Sequence, residues 1–173
     1  MGGLIAERTS SVAETDKFSD ANAKYAGSFD KGDLPMPPGR CLAVVACMDA
    51  RLDPAKALGL AEGDAHVIRN ASGLAADAIR SLVISQQLLG TREIAIVHHT
   101  DCGMLTFTDE QLRTKLHDEL GVDTAIPFLA FSDLERSVRD DIATVKSSPL
   151  LLKDVPVRGF IYDVHAGKLD EVR

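Results

Sequence analysis

The sequence predicts an α/β fold: a mainly parallel β-sheet flanked by helices, with an amino-terminal helical arm. Three observations predict it. Apolar runs of strand length recur at 41–47, 65–70 and 93–99, and they are continuous rather than alternating, as strands buried on both faces are. A segment with helical periodicity, 74–90, separates the second run from the third. Connections of this length between strands fit crossovers and not hairpins.

Residues 1–39 form the arm and 40–173 a single α/β domain. The arm is polar and ends in "GDLPMPPGR", whose prolines cannot continue a helix or a central strand. Val12 to Ala26 has helical character but a thin apolar face, so it must lie on its own domain or on a partner subunit. "CLAVVAC" (41–47) and "AHVIRN" (65–70) are the first two strands. "LAADAIRSLVISQQLLG" (74–90) sets Ile79, Leu82, Val83, Gln86 and Leu89 on one helical face and puts Gly90 where a C-cap belongs. "EIAIVHH" (93–99) is the third strand. Thr108 with Gln111, and Ser132 with Glu135, read as capping boxes that open helices running to about Gly121 and about Lys146. "VRGFIYDV" (157–164) is a fourth strand, and "HAGK" turns it into the short return "LDEV".

Composition excludes several function classes. The chain has 173 residues, 45% hydrophobic and 26% charged, long enough to bury a core without disulfides. A net charge of -7, with no basic stripe and few aromatics, argues against nucleic acid and anionic membranes as partners. No stretch is long enough to cross a bilayer and none reads as a targeting signal, so the expected compartment is the cytosol. Three cysteines are an odd, small number for a disulfide framework; in a reducing compartment they point to metal binding or chemistry.

Two of them stand at strand ends. "VACMDARLD" (45–53) closes the first strand on Cys47 and follows it with Asp49 and Arg51; "HHTDCGM" (98–104) closes the third on His99 and, three residues on, Cys102. Carboxyl ends of parallel strands form the crevice where ligands bind, and neighbouring strands lie only about 4.8 Å apart. Two thiolates and an imidazole converging there suit one zinc ion per chain, and three protein ligands are the number a catalytic zinc uses. Each part alone has an ordinary reading: H-x-x-C by chance, Cys47 as apolar filler, Asp49–Arg51 as a surface pair. Jointly, at two strand ends, they favour a metal centre. Asp49 then has two possible positions, bound to the metal as a fourth ligand or held off it by the Arg51 fork, accepting a hydrogen bond from metal-bound water.

The other candidates read as structural. Cys41 is expected to pack in the first strand. His98 should point opposite to His99 and support the core, although an irregular strand end would exchange the two. His66, His117 and His165 lack a cysteine or acid at useful spacing, and Asp101 reads as a turn residue. Arg69 and Asn70 fit either a supporting role at the cleft or loop hydrogen bonding.

"CMDAR" at 47–51, "HVIRNA" at 66–71 and "HHTDCGM" at 98–104, in this order and spacing, resemble the β-class carbonic anhydrases, strongly over residues 40–107. The resemblance implies zinc on Cys47, His99 and Cys102, Asp49 and Arg51 as the catalytic dyad, and reversible hydration of carbon dioxide to bicarbonate by zinc-bound hydroxide. It also implies dimers or tetramers in which the amino-terminal helix reaches over the neighbour. Relatives on the same scaffold hydrolyse carbonyl sulfide or carbon disulfide, which makes such a hydrolase the alternative; a non-enzymatic zinc-binding protein with Asp49 closing the metal is a third. This chain departs from the family where it reads "RNASG", with Ser72 in place of the more usual glycine, a change that bears on the pocket rather than on metal binding.

Overall fold

In a computed structural model, residues 13–173 are described. They fall into two compact units, a first that ends at Leu34 and a second, Pro35–Arg173. The first holds a short 3₁₀ turn, Glu14–Lys17, and helix α1, Phe18–Ala26. Every residue of α1 is solvent-exposed, and Phe18, Tyr25 and Phe29 are exposed aromatics of this unit. The expectation for Val12 lies outside the described residues.

The second unit is built on a five-stranded sheet with the order β2-β1-β3-β4-β5. Its strands are β1 (Leu42–Cys47), β2 (Ala65–Asn70), β3 (Glu93–His99), β4 (Val157–Tyr162) and β5 (Leu169–Val172). The first four are mutually parallel and β5 returns antiparallel on β4. The central pair, β1 and β3, is buried on both faces, which is why these segments are apolar without alternation. Between the strands lie α2 (Pro54–Leu58), α3 (Ala75–Leu89), α4 (Asp109–Leu120) and α5 (Leu134–Ser147).

Two apolar clusters sandwich the sheet. Ala43 and Val45 of β1 with Ile94 and Ile96 of β3 pack against α3 and α5, through Ala78, Leu82 and Val145. Val44, Ala46 and Val97 face the other way, onto Leu52, Met104 and Phe107. The metal-ligand candidates belong to this second layer, where Cys47 and Cys102 are buried with it. Such burial, at about 25 cal/mol per Å² of apolar surface, is what fixes the strand ends in place.

Local signals hold with two adjustments. Gly90 caps α3 at φ 77, and Thr108 forms the expected box with Gln111. Helix α5, however, is capped by Asp133, whose carboxylate accepts from the Arg136 N–H at 2.9 Å, and not by Ser132. Ser and Asp cap about equally well, and of these two neighbours the structure seats Asp133 at the helix start. Cys41 does not pack: it is exposed, at φ 49, one residue before β1 begins.

Candidate metal centre

Cys47 ends β1, and the loop behind it is tied down by the adjacent strand. Arg69 of β2 donates from Nε to the Cys47 carbonyl (2.9 Å) and from Nη2 to the Asp49 carbonyl (2.7 Å). Asn70 closes the following turn, its amide donating to the Leu74 carbonyl and its carbonyl accepting from the Leu74 N–H. Both residues thus hold backbone around the cleft, which joins the two readings their positions allowed.

β3 alternates as expected at its end. His98 turns to the α5 side, where Nε2 lies 2.9 Å from Asp141 Oδ2 and the ring stacks on Phe131 at 5.8 Å. His99 turns to the other face. Its Nδ1 donates to the Thr100 carbonyl at 2.8 Å, so Nε2 carries the lone pair. That Nε2 is buried with no hydrogen-bond partner, a state a native interior rarely leaves without reason.

The missing partner is close by. The ligand atoms of Cys47, His99 and Cys102 all lie within 4.8 Å of one another, and all three residues are buried. The size and the S₂N donor set suit a tetrahedral ion with bonds of about 2.0–2.3 Å. The two sulfurs, this close together, act on each other's pKa in opposite directions. The Cys47 thiol brings Cys102 below the ordinary thiol range, against burial and with help from His99. The Cys102 hydrogen bond, then burial, pushes Cys47 well above the ordinary thiol range. Burial, the largest single influence, lowers the His99 pKa, but the Cys102 sulfur, the Thr100 carbonyl and the Asp49 charge act together against it and the net direction is up. Two buried sulfurs beside an orphaned imidazole nitrogen are what a divalent cation neutralises. The residues fit zinc.

Asp49 and Arg51 stand at the open side. Asp49 Oδ1 accepts from the Arg51 N–H (2.8 Å) and Nε (3.0 Å), and Oδ2 accepts from Nη2 (2.7 Å). Hydrogen bonding from Arg51, opposed by burial, holds the Asp49 carboxyl well below the usual range, so it stays ionised at neutral pH. Its Oδ2 is still only 3.7 Å from His99 Nε2. Of the two positions open to Asp49, the structure shows the one paired with Arg51.

One residue of this network has no chemical signal in sequence. Asp101, in a left-handed turn conformation at φ 56, accepts from Arg51 Nη1 through Oδ2 (2.7 Å) and from Nη2 through its carbonyl (2.9 Å). Its place between His99 and Cys102 was the available clue, since any side chain there must lie beside the cleft. His66, by contrast, pairs with Ser85 (2.7 Å) and exposed His117 with Asp123 (3.0 Å), both away from the cluster.

A cavity of about 350 Å³ opens onto the site, bounded by Cys47, Asp49, Ser72 and Cys102 and walled by Met48, Ala71, Met104 and Phe107. Larger clefts, about 480 and 430 Å³, run beside α4 and α5 and contain none of the donor atoms. The donor-lined cavity, and not the most spacious one, is where chemistry can occur.

The comparisons with known proteins agree with the geometry. The family model described as carbonic anhydrase matches residues 42–169. The chain is 50% identical over 159 residues to β-carbonic anhydrase 1 of Mycobacterium tuberculosis, covering 91% of this chain and 97% of that one. It is 35% identical over 159 residues to a carbon disulfide hydrolase of Saccharolobus solfataricus, covering 78% of each. Among solved structures, a carbonic anhydrase from Streptococcus mutans superposes with a TM-score of 0.90 at 49% identity, over 94% of this chain and 99% of that one. Strand-end ligands, sheet order and sequence likeness meet in one conclusion: this chain belongs to the β-class carbonic anhydrase family.

Proposed function

We propose that the protein is a zinc-dependent carbonic anhydrase that interconverts carbon dioxide and water with bicarbonate and a proton. The observation that carries this is the buried Cys47–His99–Cys102 cluster, with the Asp49 carboxylate held beside it by Arg51. Zinc bound by those three residues supplies a Lewis acid that brings the pKa of a water toward about 7.

The chain's own residues do the rest. Arg51 grips both carboxylate oxygens of Asp49 and leaves it 3.7 Å from His99, near the donors without joining them. Being ionised, Asp49 is an acceptor only, so Oδ2 orients a water by taking one of its protons in a hydrogen bond and leaves a lone pair directed into the cavity. The apolar walls Met48, Ala71, Met104 and Phe107 suit a small, uncharged, linear substrate such as carbon dioxide. Two thiolate ligands donate more charge than imidazoles would, so activity rises from neutral to mildly alkaline pH. A flat profile between about pH 6 and 9 at saturating buffer contradicts this.

The catalytic unit is an oligomer, a dimer or tetramer, in which the amino-terminal arm packs on a partner subunit. Exposed Phe18, Tyr25 and Phe29 support that reading, since aromatics left in water are a cost that association removes. Among the described residues no helix is long and apolar enough to cross a membrane, and a cytoplasmic setting fits three free cysteines.

The rival substrates are carbonyl sulfide and carbon disulfide; relatives named carbon disulfide hydrolase are 34–36% identical to this chain, further away than the carbonic anhydrase. One preparation decides. Carbon dioxide hydration by stopped flow is measured beside sulfide release from each sulfur substrate, with zinc counted in parallel. Hydration at one zinc per chain is expected. Sulfide release without hydration installs the hydrolase, and one zinc with no turnover a binding protein.

A further inference from the structure

Ser72 occupies a position that a glycine would fill more easily. Its φ is 64, in the left-handed region that L side chains rarely adopt, and it is 1% exposed. The turn around it is fixed on both sides. Asn70 closes it through Leu74, and Gly73 packs so tightly on the end of β1 that an added Cβ would stand 2.8 Å from the Ala46 carbonyl carbon and 2.9 Å from the Cys47 nitrogen. Ser72 is therefore held in register with Cys47.

A buried hydroxyl needs a partner. Among the described residues the hydrogen-bond partner of Ser72 Oγ is the Cys102 sulfur, 3.8 Å away, whose thiol donates to the hydroxyl oxygen; a sulfur that has lost its proton to bind a metal can only accept. The left-handed turn thus sets the Ser72 hydroxyl against one sulfur of the centre.

Resting on the zinc reading above, we propose that Ser72 is a positioning residue of the metal centre, whose hydroxyl donates to the Cys102 sulfur once that sulfur is a metal ligand. The bond fixes the orientation of the Cys102 side chain and draws electron density from the sulfur, so the centre is a stronger Lewis acid than two unassisted thiolates would make it. A hydroxyl that merely fills space would do neither.

Two variants separate these roles. Ser72→Gly removes the hydroxyl and relieves the backbone strain; Ser72→Ala removes the hydroxyl and keeps the strain. Each is prepared as full-length protein with cobalt in place of zinc, and the thiolate-to-cobalt charge-transfer band is recorded at one cobalt per chain. Loss of the hydrogen bond makes the sulfur a better donor, so both bands shift to longer wavelength by a similar amount. The zinc forms lose kcat by about tenfold at unchanged KM. Bands that coincide with that of the unsubstituted protein overturn the proposal, as does a band restored in Ser72→Gly but shifted in Ser72→Ala, which would assign the effect to backbone shape. Failure of the unsubstituted protein to take up cobalt or zinc would instead overturn the metal reading itself, before Ser72 is in question.

Discussion

Arg51 is shared between two carboxylates: Nη2 lies 2.7 Å from Asp49 Oδ2 while Nη1 lies 2.7 Å from Asp101 Oδ2. A guanidinium held from both sides has little freedom to turn, and what it holds is the acid beside the Cys47–His99–Cys102 cluster. Arg51→Ala is expected to keep zinc and lose turnover by about 10²-fold or more, because Asp49 is then free to swing onto the ligand cluster. Asp101→Ala should do less. Its contact with Arg51 is exposed and the Asp49 contact survives, so a loss of about two- to fivefold is expected. Hydration kinetics with zinc determination on both variants check this. Equal losses would mean that Asp101, not Asp49, is the essential partner of Arg51.

The three ligand candidates should behave as a unit. Cys47→Ser, His99→Ala and Cys102→Ser are each expected to weaken zinc binding by more than about 100-fold, since removing a ligand costs more than removing a residue that orients one. Zinc per chain after dialysis against a chelator is the measurement. The apolar clusters on both faces of the sheet involve many residues that touch no metal, so far-UV circular dichroism should persist in the stripped protein. A variant that keeps stoichiometric zinc is not a ligand variant, and its residue leaves the set.

What the chain revealed in advance follows from the range of the forces involved. The strands β1 and β3 were legible because burial on both faces writes itself as uninterrupted apolar sequence. Cys47, His99 and Cys102 were legible because strand ends in a parallel sheet converge and few residue types bind zinc. Asp141 was not. It pairs with His98 from 43 residues away, and nothing local distinguishes it from the exposed Asp140 beside it except the face of α5 it occupies. Asp101 was read rightly as a turn residue, but that reading explains its type fully and hides its second role, bracing Arg51, which depends on a contact across 50 residues. Cys41 failed the other way, since hydrophobic type alone does not tell where a strand's first pleat begins.

Asp109 offers a pH test away from the metal. Its carboxylate accepts from the Ala130 and Phe128 N–H groups at 3.0 and 2.9 Å, pinning the extended segment that delivers Phe131 onto His98. Those backbone hydrogen bonds, Ala130 first, hold its pKa below the usual aspartate range. A carboxyl whose folded pKa lies below its unfolded one contributes fully above the unfolded value, and the contribution disappears as pH falls through the folded one. The Tm gap between the unsubstituted protein and Asp109→Ala should therefore be constant from about pH 6 to 8 and narrow below about pH 4. A gap that widens on acidification would reverse the assigned direction of the shift.

Gly73 and Gly90 share a left-handed backbone, at φ 81 and 77, but not a setting. A Cβ on Gly90 would meet nothing within 4 Å, so Gly90→Ala bears only the conformational cost, about 1 kcal/mol. On Gly73 the same atom would press on main-chain atoms of Ala46 and Cys47, which cannot rotate aside as a side chain can. Gly73→Ala should cost at least about 2 kcal/mol, a Tm decrease of about 4–8 °C or more for a chain of this size. Because the strained atoms include the Cys47 nitrogen, it should also lower zinc occupancy, which Gly90→Ala leaves intact. Thermal melts and zinc counts on the two variants make the comparison. Equal Tm values with full zinc in both would show that the turn after β2 can move away from β1, and that Cys47 is positioned by its strand without help from Gly73.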